Sequence, residues 1–271
     1  MTMQGTEEDV RNLLNQLKQH PEDSDRWLLL AEAYLSLNRL GDAEKAFKRS
    51  LKIDKDNTFA LSKLAELHLQ KNKPKDAVKS LKKCVEISPE NYQFWSSLGY
   101  AFVQVNNLKD AAEAFQTSLA IKPEHIESMY FLGMTYNLME NWEEAVFTLE
   151  EASRLAPDDY EILKGLARAL MKLKRTKDLE KTYLRMRELD PHEHSLLLYL
   201  GQIAFDSGRK DKGLDYYKRA VEMSPNSLIG WKVLAEAYES LGRLEEAKHA
   251  RGNYKDILEQ IRKDKGIFGT I

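Results

Sequence analysis

The chain has 271 residues, 42% hydrophobic and 31% charged, with a formal net charge of −2. That composition supports a continuous buried core and excludes a bulk electrostatic pull toward nucleic acid or acidic membranes. The single cysteine, Cys84, excludes an intramolecular disulfide and fits a reducing compartment, so a cytoplasmic protein is expected.

The opening stretch MTMQGTEEDV is polar and acidic, without the basic and apolar regions of a secretory signal. No apolar run approaches the roughly 18 residues a membrane-spanning helix requires, so no membrane insertion is expected. Residues 7–20 (EEDVRNLLNQLKQH) form a predicted helix with Val10, Leu13, Leu14 and Leu17 turned inward. Residues 1–23 thus read as a polar N-terminus and a leading half-repeat.

From residue 24 a 34-residue pattern recurs without a gap, giving seven units: 24–57, 58–91, 92–125, 126–159, 160–193, 194–227 and 228–261. In the third, Trp95, Leu98, Gly99 and Phe102 fall at i, i+3, i+4 and i+7, one face of a first helix. After a break at Asn106–Asn107, Ala111 and Phe115 share a face of a second helix, and Pro123 closes the unit. The strictest column is Leu30, Leu64, Leu98, Leu132, Leu166, Leu200 and Leu234, followed by a small residue at Ala31, Ala65, Gly99, Gly133, Ala167, Gly201 and Ala235. A bulky residue beside a small one, repeated in phase, is what close helix–helix contact requires.

Turns and boundaries are in phase too. Asn38, Asn72, Asn106, Gly208 and Gly242 occupy a column suited to a left-handed helix end, which Glu140 and Lys174 break. Acids follow in the first turn of each second helix (Asp42, Asp76, Asp110, Glu144, Asp178, Glu246), Lys212 excepted, where the macrodipole favours them. A ladder of Pro21, Pro89, Pro123, Pro157, Pro191 and Pro225 ends the second helices, with Lys55 at the missing rung. The last helix runs on over roughly 244–264, with Arg251 replacing the aromatic of earlier repeats, as a polar capping element requires. Residues 262–271 comprise its end and the apolar tail GIFGTI, which either folds back or inserts into a neighbouring molecule.

These residues resemble the tetratricopeptide repeat, whose 34-residue helix–turn–helix pattern is W-x2-L-G-x2-Y, A-x3-F and P. The third repeat carries it as Trp95, Leu98, Gly99, Phe102, Ala111, Phe115 and Pro123; the first and seventh keep Trp27 with Tyr34 and Trp231 with Tyr238. The fifth and sixth depart most, with Leu170, Ala204, Leu179 and Gly213 at motif positions. The resemblance implies an all-α, right-handed superhelical solenoid whose first helices line a concave groove that binds peptides or protein surfaces.

Function is then expected on the groove face of the first helices. Candidate partner-binding residues are Tyr100, Val103, Gln104, Tyr130, Met134, Asn137, Leu138, Tyr199 and Phe205, side chains that suit an apolar or amphipathic peptide or else sit half-buried between adjacent helices. Lys164, Arg168 and Lys172 at i, i+4 and i+8 add a basic row suited to an acidic group, or are ordinary solvated cations. The paired Lys and Asn with which some family members clamp a chaperone's C-terminal carboxylates are not found, since Lys63, Lys164 and Lys232 lack the matching Asn.

Charge is segregated: residues 140–161 are acidic, whereas 164–187 hold nine Lys or Arg against Asp178 and Glu180, which suggests compensation within the chain or between stacked molecules. The lysine run Lys71, Lys73, Lys75, Lys79, Lys82 and Lys83 lacks interleaved aromatics and is weak evidence for nucleic acid. Trp142 reads as a turn residue covering an apolar seam. His192-Glu193-His194 resembles a metal fragment without a third ligand, and no phosphate-binding loop or nucleophile elbow is present. No metal, cofactor or catalysis is expected. The expected function is a non-catalytic adaptor holding a protein or peptide partner; the alternative is a scaffold that self-associates through helix 7–20 or the tail.

Overall fold

The computed structural model describes residues 5–264, which contain fifteen α-helices and no strand. The chain divides into two compact units, one up to Ala156 and one from Pro157. Each unit is a stretch of all-α helical-repeat solenoid.

The first unit opens with α1 (Glu7–Gln19), started by a reciprocal capping box: the Thr6 hydroxyl accepts from the Asp9 amide at 3.1 Å and the Asp9 carboxylate accepts from the Thr6 amide at 2.9 Å. Val10, Leu13 and Leu17 are buried against the core, but Leu14, expected inward, is 37% exposed. α1 packs on α2, and Leu14 lies at the uncovered edge of its apolar stripe.

Helix pairs follow: α2 (Ser24–Ser36) with α3 (Leu40–Ile53), α4 (Thr58–Gln70) with α5 (Pro74–Ile87), α6 (Tyr92–Gln104) with α7 (Leu108–Ile121), and α8 (Ile126–Leu138) with α9 (Trp142–Leu155). Trp142 is therefore the first residue of a helix, half-buried, and not a turn residue. The second unit repeats the arrangement with α10 (Tyr160–Lys172) and α11 (Thr176–Leu189), α12 (His194–Asp206) and α13 (Lys210–Met223), and α14 (Leu228–Ser240) and α15 (Leu244–Asp264).

Between the helices of each pair one residue is left-handed in every case, with φ +56° at Asn38, +55° at Asn72, +59° at Asn106, +61° at Glu140, +56° at Lys174, +76° at Gly208 and +70° at Gly242. Glu140 and Lys174 adopt this conformation despite their β-carbons, contrary to the break their identity suggested. The next residue's amide closes the turn: Arg39 donates to the Tyr34 carbonyl at 2.8 Å, Asn141 to Tyr136 at 3.0 Å, and Arg175 to Leu170 at 3.0 Å. That bond satisfies a helix-end carbonyl, and it holds the geometry where the side chain does not favour it.

All seven residues of the leucine column are buried, as are their small neighbours. A β-carbon placed on Gly99 would lie 2.7 Å from the Phe115 ring, and one on Gly133 2.5 Å from Leu149, so the missing side chain sets how closely the paired helices approach. Cys84 is wholly buried, and burial pushes its thiol up to about 11, so it is an inert packing group. Consecutive repeats are tied by acid–base links at a shared register. In the first unit the half-buried Glu44 accepts from Lys48 at 2.6 Å and from Lys71. In the second, Glu180 accepts a two-pronged contact from Arg209 at 2.8 and 2.7 Å.

Further ion pairs of the second unit join Arg185 to Asp158 and Glu188, and Arg175 to Asp178, so part of the basic block is compensated inside that unit. At the end of the chain, Arg251 is exposed with its Nε 2.5 Å from the Glu239 carboxylate. The GIFGTI tail lies outside the described residues.

Candidate functional site

The leucine and small-residue columns occupy the inner stripes of the helices, leaving the outward face of the first helices to vary from repeat to repeat. Side-chain caps set where those helices begin: the Asn57 side chain accepts from the Ala60 amide at 2.9 Å, Asn91 from Gln93 at 3.0 Å, and Asp159 from Ile162 at 3.1 Å.

In the first unit, α4, α6 and α8 border a cleft of about 550 Å³. Phe59, Phe94, Tyr100 and Phe131 supply its apolar wall, and Ser62, Asn91, Gln93 and Ser97 its polar groups. Phe131 is the hub. The Tyr100 ring meets it edge-on at 5.3 Å, Tyr130 leans on it at 5.2 Å, and Phe115 stacks behind it at 5.9 Å. These contacts fix the half-buried tyrosines with one side toward solvent.

Three charged side chains line the cleft. Lys63 donates to Glu66 at 2.8 Å and lies over the Phe59 ring, 5.9 Å from its centroid. Glu127, in the first turn of α8, has a side chain 67% exposed, and its carboxylate is 3.8 Å from His125 Nε2. Burial lowers the His125 pKa below the ordinary value, and Lys122 adds to that against the pull of Glu127. The His125 Nδ1 is 2.7 Å from the Ser128 hydroxyl.

The residues expected to bind divide accordingly. Tyr100 and Tyr130 join one cluster around Phe131. Met134 is half-buried next to them in sequence phase, Val103 packs on the core, and Gln104 and Leu138 are exposed at the ends of α6 and α8. Asn137 does not face a partner: it is 1% exposed, with its Nδ2 3.9 Å from Met134 Sδ. It ends the buried stripe of α8, a position the periodicity assigned to the surface. The sequence reading missed Phe59, Phe94 and Phe131. Phe59 was legible in principle, because its column holds Gln93, Glu127 and Glu161 elsewhere and an aromatic there has no core to serve.

In the second unit, Lys164, Arg168 and Lys172 are all exposed along α10, and Lys164 contacts Glu161 at 3.3 Å. Tyr199 is 50% exposed and stacks on Tyr183 at 5.2 Å; burial, with Tyr199 beside it, pushes the Tyr183 phenol up to about 12. Phe205 stacks on Tyr217 at 5.5 Å, over the space Gly213 leaves open, so its ring serves the core as well as the surface. Glu193 accepts from the Tyr160 hydroxyl at 2.9 Å and from Ser195 at 2.5 Å, which commits the centre of the His-Glu-His run to structural bonds. Among the described residues no three His, Cys, Asp or Glu side chains converge as metal ligands, and no helix is long and apolar enough to cross a membrane.

Comparison with known families gives matches to three repeat models. The Cytochrome c-type biogenesis protein H TPR domain matches residues 3–125; two tetratricopeptide repeat models match 102–161 and 136–202, and 179–228 and 200–250. Among solved structures, a tetratricopeptide repeat protein from Parabacteroides merdae aligns with TM-score 0.60 at 14% identity, over 87% of this chain and 92% of its own. The MamA protein aligns with TM-score 0.60 at 21% identity, over 62% and 92%. PilF of Pseudomonas aeruginosa aligns with TM-score 0.59 at 19% identity, over 79% and 97%. At these identities the likeness is one of fold. Among curated sequences, the mouse Protein O-mannosyl-transferase TMTC2 is 29% identical over 89 residues, 28% of this chain and 11% of that protein.

Proposed function

Because this chain belongs to the tetratricopeptide repeat family, we propose that it is a non-catalytic adaptor that binds a protein segment on the outward face of its first helices. The observation that carries this reading is the aromatic cleft of α4, α6 and α8, whose wall is held in place by the ring contacts of Tyr100, Phe115 and Tyr130 with Phe131. Preorganisation of that kind reduces the ordering cost of binding and lets a short segment be held. Tyr100, Tyr130 and Met134 supply apolar contact in the first unit. In the second, the α10 row of Lys164, Arg168 and Lys172, with Tyr199, suits a segment carrying acidic groups. The enzymatic name of the mouse relative does not transfer, since the match spans 11% of its length. Cytoplasmic residence is part of the same proposal and rests on composition.

The test is affinity capture from source lysate with the wild-type chain and a Tyr100→Ala/Tyr130→Ala/Met134→Ala variant, helicity being monitored by circular dichroism. A protein retained by the wild type and lost from an equally helical variant supports the adaptor; equal retention by both sinks it.

A second reading is a self-assembling scaffold. It is favoured by α1, which packs on α2 and leaves Leu14 37% exposed. Light scattering over a hundredfold dilution separates the two, since a scaffold through α1 gains mass with concentration and loses that gain when residues 1–20 are removed.

A further inference from the structure

The cleft of α4, α6 and α8 has a chemical preference that the α10 row does not share. Its charged lining is Lys63, Glu66 and Glu127. Lys63 is already paired with Glu66, so its charge is spent within the wall. Glu127 contacts no lysine or arginine within 4.0 Å among the described residues; its partner is His125, whose burial disfavours the charged imidazole. The α8 macrodipole offsets at most about half a unit of charge at the helix N-terminus, so Glu127 leaves the rim negative. The same cleft is lined by the rings of Phe94, Tyr100 and Phe131, and the face of an aromatic ring is electron-rich and attracts cations. Asn91, Gln93, Ser62 and Ser97 supply donors and acceptors of the kind an extended main chain needs.

We propose that this cleft receives an extended peptide segment carrying an arginine or lysine next to an apolar side chain, the cation seated between the Glu127 carboxylate and the aromatic wall. The inference rests on the adaptor reading above and names the class of segment the first unit accepts. An acidic segment is disfavoured there, since it would meet two carboxylates at the rim against one committed lysine.

The experiment is selection of a random dodecapeptide library on the full chain and on a Glu127→Arg variant, followed by anisotropy titration of the enriched peptides. Glu127 is exposed, so its replacement leaves the fold intact. The expected result is enrichment of peptides with Arg or Lys flanked by apolar residues, bound at least about tenfold more weakly by Glu127→Arg. Basic peptides bound equally by both proteins overturn the inference. Enrichment of acidic peptides that Arg168→Glu abolishes overturns it too, while leaving the adaptor reading standing. No enrichment on either protein removes both.

Discussion

The Trp95 indole donates to the Pro89 carbonyl at 2.7 Å, fastening the start of α6 to the segment that ends α5. The same bond joins Trp27 to Pro21 at 2.8 Å and Trp231 to Pro225 at 2.7 Å. Proline stops the second helix, and the tryptophan six residues on uses the carbonyl that stop leaves outside the helix. The two motif residues therefore act as one device at the junction of repeats. Trp95→Phe keeps the ring and loses the donor, and is expected to cost about 1 kcal/mol in urea unfolding, with native helicity unchanged.

The close approach of paired helices gives a second prediction. With a β-carbon at Gly99 only 2.7 Å from the Phe115 ring, Gly99→Val forces the helices apart and is expected to destabilise the chain by about 1–3 kcal/mol. Phe115→Leu in the same chain recovers part of that loss, which a double-mutant cycle of unfolding free energies measures.

The left-handed turns give a prediction of opposite sign. Glu140 and Lys174 hold φ of +61° and +56°, where a β-carbon costs roughly 1–2 kcal/mol and glycine does not. Glu140→Gly and Lys174→Gly are expected to raise thermal stability by a few tenths to about 1 kcal/mol each, after the larger entropy glycine loses on folding. Asn106→Gly changes less, since Asn already tolerates that region.

Acid stability turns on Glu44 and His68. Hydrogen bonds from Lys48 and Lys71 hold the Glu44 carboxyl at about 2, against an ordinary 4.5, despite its partial burial. His68 is 5% exposed, its Nδ1 has no hydrogen-bond partner among the described residues, and its Nε2 is 3.7 Å from Glu44; burial lowers its pKa below 6.5. In both groups the unfolded chain binds protons more readily than the folded one. Stability thus falls with pH from about 6.5 for His68, and from about 4.5 for Glu44 until its own folded value is passed. His68→Phe is expected to flatten unfolding free energy between neutral pH and the carboxylate range, and Glu44→Gln to remove the lower limb.

Much of the fold is legible in the sequence because core positions repeat every 34 residues and each must solve the same packing problem. Leu98 and Gly99, for instance, have six in-phase counterparts each, all buried. The outward face of the first helices is less legible for the same reason: its residues carry no shared packing demand, so most of their columns hold no consistent residue type. Asn137 was misassigned because the width of a buried stripe depends on the neighbouring helix, which periodicity does not contain. Leu14 shows the same limit, since it lies at the exposed edge of the apolar stripe of α1. Phe131 is hard to single out because its column holds Leu29, Lys63, Ser97 and Tyr199 in other repeats; its contacts with both Tyr100 and Tyr130 emerge only in the fold.

The central claim, that a partner lies on the first helices, is tested most directly by site-specific photocrosslinking in source lysate. A benzophenone amino acid is placed at Ser97 in the α6 wall of the cleft, and separately at Glu113, exposed on α7. The account predicts one partner crosslinked from position 97 and absent from position 113. Crosslinking from 113 alone, or to nothing but further copies of the chain from both positions, would contradict it.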